Sequence, residues 1–201
     1  MKPPINLRSG SVLAALLMAG IITQKAAGED AGNLVANGTF EASSKTPGWP
    51  DGWTPMKAGG TWETEAGNHF LRLTSTAPGS MIMLYREISV PAGATALDLT
   101  WRQRVSNLKV GAQAWFDARI MMDFKDANNA KVSPGPSAPY VRKDTGGWQD
   151  KSLRVNVPVG AAVLKFMPAL FQVESGTFDL DNIVIKVAVP VAPSAPATPA
   201  G

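Results

Sequence analysis

Alternation is what most limits the fold of this chain. In ALDLTWRQRV, Leu97, Leu99, Trp101 and Val105 fall on one side of an extended backbone and Asp98, Thr100, Arg102 and Arg104 on the other, because successive side chains of a strand point to opposite faces. AQAWFDARIMMDF repeats the pattern. Ala112, Ala114, Phe116, Ala118, Ile120, Met122 and Phe124 form an apolar row, opposite Gln113, Trp115, Asp117, Arg119, Met121 and Asp123. After the first thirty or so residues, no window of a dozen keeps apolar groups at helical spacing without a Gly or Pro break. Turn signals such as PAGA, GNH, ANNA, PGPSAP, TGG and PVGA separate the runs. The pattern predicts strands over 61–66, 69–75, 81–90, 96–106, 111–124, 149–157, 162–173 and 177–187. They make an all-β sandwich of two packed antiparallel sheets.

The ends read differently. Lys2 and Arg8 precede an uncharged, mostly apolar run and then the small residues of KAAG. That is the grammar of a secretory signal peptide covering 1–28. The apolar run from Val12 to Ile22 has 11 residues, against the ~20 of a spanning helix. The tail over 188–201 is rich in Pro and Ala and reads as an extended linker. One domain, 29–187, lies between, large enough for a real core. Removing Lys2, Arg8 and Lys25 leaves 16 basic residues against 16 acidic ones. Balanced charge argues against nucleic acid or an anionic membrane as partner. Export, to the extracellular space or a periplasm, is expected. The chain has no cysteine, so stability must come from burial and possible metal binding, not from disulfides.

Trp115 is the informative side chain. On the polar row, flanked by Gln113 and Asp117 and followed by Arg119, it offers a flat apolar plate beside fixed hydrogen-bonding groups. Sugar rings suit that pairing, with C–H faces on the indole and hydroxyls on amide, carboxylate and guanidinium. The same spacing is also met if a bulge slips the register and turns Trp115 into the core. Arg102 and Arg104 extend the polar row if their strand pairs with that of Trp115.

Four segments in order resemble the β-jelly-roll carbohydrate-binding modules of families four and nine, found attached to secreted glycoside hydrolases. They are NLVANGTFE with Trp53 after it, YREISVPAGATALDLTWRQRV, WQDKSLRVNVPVGAAVLKF and GTFDLDNIVI. The resemblance implies a jelly roll whose opening segment lies against the closing strand, the two holding a structural Ca²⁺. Glu41 and Asp181 would be its side-chain ligands, with backbone carbonyls near Asn37 and Thr39; calcium takes six to eight oxygens. Asp179 has no role there and is expected to face solvent or support Asp181. Trp53 and Trp148 match packing positions, Trp101 reads as core, Trp49 is open between platform and packing, and Trp62 and Tyr140 are unassigned.

Catalysis finds little material. Glycoside hydrolysis needs two carboxylates across a cleft, and the Glu-x-Asp-x-x-Glu strand motif of sandwich glucanases is absent. Glu63 and Glu65 share a face, as on any solvated strand. His69 is the only histidine and there is no cysteine, so a triad or transition-metal site cannot be assembled; His69 is expected to be an ordinary turn residue.

The sequence thus predicts a monomeric, non-catalytic module that binds a polysaccharide of glucan or xylan type. The expected site is Trp115, Arg102, Arg104, Gln113, Asp117 and Arg119. Alternatives are the N-terminal piece of a glycoside hydrolase and a sandwich used for protein interaction.

Overall fold

The computed structural model describes residues 32–189. The expected signal segment and nearly all of the Pro/Ala tail lie outside them. Among the described residues there is no helix, and so none that could cross a membrane.

Eleven strands form two antiparallel sheets. The first contains β1 (Gly60–Glu65), β2 (Asn68–Ser75), β11 (Ser175–Val187), β5 (Ala96–Lys109) and β9 (Gln149–Asn156), in that order across the sheet. In the second, β10 (Val163–Phe171) pairs along one edge with β3 (Met81–Met83) and β4 (Arg86–Ser89). Its other edge pairs with β6 (Ala118–Lys125), which carries the short β7 (Lys131–Val132) and β8 (Tyr140–Val141). This is the sandwich that the alternation predicts.

The inward rows meet between the sheets. Leu97, Leu99, Trp101 and Val105 of β5 face Ala118, Ile120, Met122 and Phe124 of β6 in one buried cluster, with Leu164, Phe166, Phe178 and Leu180. Each fully buried aliphatic or phenyl side chain contributes about 1.5–3 kcal/mol of transfer free energy. Gln103 also points inward, at 4% exposure.

The opening segment docks as the resemblance implied. Leu34 N–H donates to the Ile185 carbonyl at 2.8 Å, and Ile183 N–H to the Gly38 carbonyl at 2.9 Å. Asn33 Oδ1 accepts Ile185 N–H at 2.9 Å. Trp53 and Trp49 are both core; the Trp53 indole donates to the Asn37 carbonyl and the Trp49 indole to the Trp53 carbonyl, each at 2.9 Å. Indoles buried with their N–H satisfied are packing residues.

Two predicted strands need correction. The run 81–90 divides into β3 and β4, which keep one register against β10, because Pro168, which accepts the Leu84 N–H at 2.9 Å, has no N–H to return. The run 111–124 begins only at Ala118. Gly111 N–H donates to the Phe116 carbonyl and Phe116 N–H to the Gln113 carbonyl, each at 3.0 Å, curling 111–116 into a compact turn. Ala112 and Ala114 are therefore exposed, not core. A glycine is required at 111, since a Cβ there would strike the Gln172 carbonyl and the Phe116 side chain.

Candidate functional site

The turn carries Trp115 outward, 53% exposed. It sits neither on a strand face nor in a slipped core position. Phe116 anchors the turn, half-buried with its ring 5.8 Å from that of Phe171. Across the same opening stands Tyr140, 64% exposed. It is placed by β8, whose register sets Tyr140 opposite Arg119 of β6, so that both leave the sheet on the same side.

Trp115, Tyr140, Arg119, Arg142 and Asp117 line one open cleft of about 560 Å³. Asp117 was expected on the exposed row; it is completely buried. It earns that position by a two-pronged pair, accepting Arg119 Nε at 2.6 Å and the second guanidinium nitrogen at 3.0 Å. A buried carboxylate needs such a partner, because an isolated one costs several kcal/mol or more. Arg142 lies 3.7 Å from the same carboxylate and donates to the Ala114 carbonyl. The guanidinium of Arg119 also rests over the Phe171 ring at 5.6 Å. The floor of the cleft is thus a fixed ion pair, and its walls are two exposed aromatic plates.

The other expected members do not join it. β5 pairs with β11 and β9, never with β6, so Arg102 and Arg104 leave from the outer face of the opposite sheet. There they lie over Trp148, at 5.0 and 4.6 Å from its ring. Gln113 is exposed in the turn and does not line the cleft. Tyr140 and Arg142 carry no pattern in the sequence that assigns them here. A two-residue strand is too short to produce a period, and only the aromatic and cation after PGPSAP marked the place.

That opposite face also relocates Asp179. Expected in water or behind Asp181, it is buried, with Arg72 Nε at 2.7 Å and Arg104 Nε at 2.8 Å. Arg104 continues to Glu65 at 2.9 Å. The Glu65 carboxyl is held below its ordinary range first by the Trp148 indole N–H and then by Arg104.

At the junction of opening segment and closing strand, Asp181 is buried. It accepts Asn68 Nδ2 at 3.0 Å and the Asn182 N–H at 2.7 Å, with Arg102 at 3.7 Å. Burial pushes its carboxyl above the ordinary 3.8, and the like charge of Glu41 pushes the same way. Glu41 receives the His69 N–H at 2.9 Å and lies 2.7 Å from His69 Nδ1. His69 is thus no idle turn residue, for its ring also stacks on Trp62 at 4.3 Å. The backbone bends sharply here. Asn37, Phe40 and Asn182 have φ of 54°, 58° and 50°, and β11 shifts register against β5 between Asp181 and Val184.

This donor set fits a calcium ion in part. A carboxylate raised by burial, with a second acid adding to the push, is the charge pattern that a cation relieves. Among the described residues no group of three or more acidic or histidine side chains gathers, so amide, carbonyl and water oxygens would complete the shell. The Asn37 carbonyl, expected as a ligand, already accepts from Phe40 N–H and the Trp53 indole.

No known family profile matches the sequence, and no curated protein matches it. Solved structures do resemble the fold. The enzymatically active domain of tailspike protein 4 from bacteriophage CBA120 superposes with a TM-score of 0.58 at 15% identity, covering 78% of this chain and 22% of that one. The arabinose-bound MgGH51 α-L-arabinofuranosidase gives 0.54 at 12% identity, over 77% of this chain and 26% of the enzyme. TmCBM61 in complex with β-1,4-galactotriose gives 0.48 at 14%, over 78% and 99%. The chain therefore spans about a quarter or less of those two longer proteins, and at these identities the likeness concerns the β-sandwich alone.

Proposed function

We propose that this domain is a non-catalytic carbohydrate-binding module related to families four and nine, holding a polysaccharide chain in the cleft between Trp115 and Tyr140. The observation that carries the reading is the pairing of two half- to two-thirds-exposed aromatics around a buried Asp117–Arg119 pair. Indole and phenol offer faces to sugar C–H groups at little entropic cost, while Arg119 and Arg142 keep N–H donors for hydroxyls. The floor pair is rigid before ligand arrives, which spares ordering entropy on binding.

One carboxylate lines the cleft, and it is fully committed to Arg119. That supports binding without cleavage, since hydrolysis asks for two carboxyl groups flanking the bond. Export through the 1–28 segment, tethering through the Pro/Ala tail and a glucan or xylan ligand belong to this reading, as does attachment to a glycoside hydrolase. So does a structural calcium held by Glu41 and Asp181, which would tie the opening segment to the closing strand.

Affinity electrophoresis against soluble glucans and xylans, with pull-down on insoluble cellulose, xylan and chitin, tests it. Trp115→Ala and Tyr140→Ala should each weaken binding about tenfold or more, a loss of ~1.4 kcal/mol or above. Wild-type affinity in both variants would remove this cleft from the reading. Failure of the wild-type domain to bind any glycan would favour a protein-interaction role.

A further inference from the structure

A second cavity of about 330 Å³ opens between the sheets and shares Arg119 and Tyr140 with the cleft. Trp101, Gln103 and Lys151 line its inner side. Gln103 is 4% exposed and its carbonyl is taken by the Trp101 indole N–H at 2.6 Å. Its amide nitrogen has no protein partner, yet it is not a sealed, unpartnered atom either; fully buried side-chain atoms lacking a partner among the described residues reduce to one, on Arg86. The Gln103 amide N–H₂ therefore opens onto the cavity that the residue lines. That donor keeps access to water through the cavity and is free to turn to an acceptor that enters it.

Lys151 adds charge to the same place. The alternation of β9 turns it inward beside Trp101, its register partner on β5, and it makes no ion pair among the described residues. Around the joined cavity and cleft stand Lys151, Arg119 and Arg142 against the single carboxylate of Asp117. Three cations over one anion leave two positive charges uncompensated in a partly enclosed space, where interactions are screened less than at open surface.

We propose that this cavity is an anion subsite of the carbohydrate cleft: it takes the carboxylate or sulfate of an acidic sugar residue, between the Lys151 ammonium and the Gln103 amide, while the chain lies on Trp115 and Tyr140. The proposal rests on the carbohydrate reading and names its ligand class, acidic polysaccharide. An inward lysine on an edge strand also deters sheet-to-sheet pairing, but that role asks nothing of Gln103.

The test measures affinity as a ratio. Polygalacturonate, alginate and glucuronoxylan are each compared with their carboxyl-reduced forms, and carrageenan with its desulfated form, by affinity electrophoresis at low and moderate salt. At least one acidic polymer should bind about tenfold tighter than its neutral derivative, the scale of one hydrogen bond to a charged group. The preference should shrink with salt. Lys151→Gln should bring that ratio close to one with an unchanged thermal midpoint, and Lys151→Arg should retain most of it. The uronate and sulfate arms separate the two sources of negative charge. Ratios near one for every pair, with neutral glycans still bound, would overturn the anion subsite and leave the module standing; so would an unaltered ratio in Lys151→Gln. No binding of any polymer, acidic or neutral, would overturn the carbohydrate reading itself.

Discussion

The Asp179 carboxylate accepts Arg104 Nε at 2.8 Å across the β11–β5 pairing. Its other oxygen takes Arg72 Nε at 2.7 Å from β2 on the opposite side. One buried acid therefore laces three adjacent strands of the five-stranded sheet. Arg104 passes the link to Glu65 of β1, leaving only β9 outside it. Asp179→Asn would leave two guanidinium groups facing a neutral amide. The expected loss is about 3 kcal/mol, read as a lower urea midpoint at unchanged slope. A variant within ~0.5 kcal/mol of wild type would mean that solvent replaces the pairing freely.

Gly38 lies against the closing strand so closely that an added Cβ would strike the Ile183 carbonyl oxygen. Gly38→Ala must push the opening segment off β11, and with it the Ile183 N–H bond to the Gly38 carbonyl. Destabilisation of about 3 kcal/mol is expected, with hydrogen exchange faster at Leu34 and Ile183 than at β5. Equal protection at both places would show that the segment adjusts without detaching.

Removal of calcium gives the next outcome. If Glu41 and Asp181 hold an ion at 100 times its Kd, binding adds about 2.7 kcal/mol, and chelator should lower the thermal midpoint by roughly 5–10 °C. Glu41→Gln should blunt that response. A midpoint indifferent to chelator removes the ion, and His69 and Asn68 are then the partners these carboxylates keep.

Acid should affect the chelated protein in the direction opposite to the usual carboxylate. Burial raises the folded-state Asp181 carboxyl above its ordinary 3.8. Between the unfolded and folded values the folded chain binds the extra proton, so stability falls as pH rises through that window. Asp181→Asn removes this dependence. In chelator, the stability of the variant relative to wild type should be greatest near pH 7 and shrink as pH falls toward 4. A gap that widens on acidification would reverse the assignment and mark Asp181 as an acid stabilised by its partners.

Much of the fold was legible because alternation is local. The inward row of β5 and the apolar row from Ala118 to Phe124 are where the spacing put them, and each depends only on the two-residue period of a strand. The same rule failed at Gln113 and Trp115, since a period read across Gly111 cannot show that the backbone curls there. It also could not tell which strands pair. Arg102 and Arg104 share a period with nothing that reveals β11 and β9 as their neighbours. Pairing with β11 and β9 puts them on the outer face of the sheet opposite β6, away from Trp115.

By itself, the sequence determined a β-sandwich, the core rows of its long strands and the absence of disulfides; all follow from side-chain chemistry and short-range geometry. Tertiary structure alone decided that Asp117 and Asp179 are buried in arginine pairs, that Tyr140 and Arg142 line one cleft with Trp115, and that Gln103 and Lys151 line the adjoining cavity. Those contacts join residues from 2 to more than 100 positions apart. Their free energy depends on distances and desolvation that only the packed sheets fix.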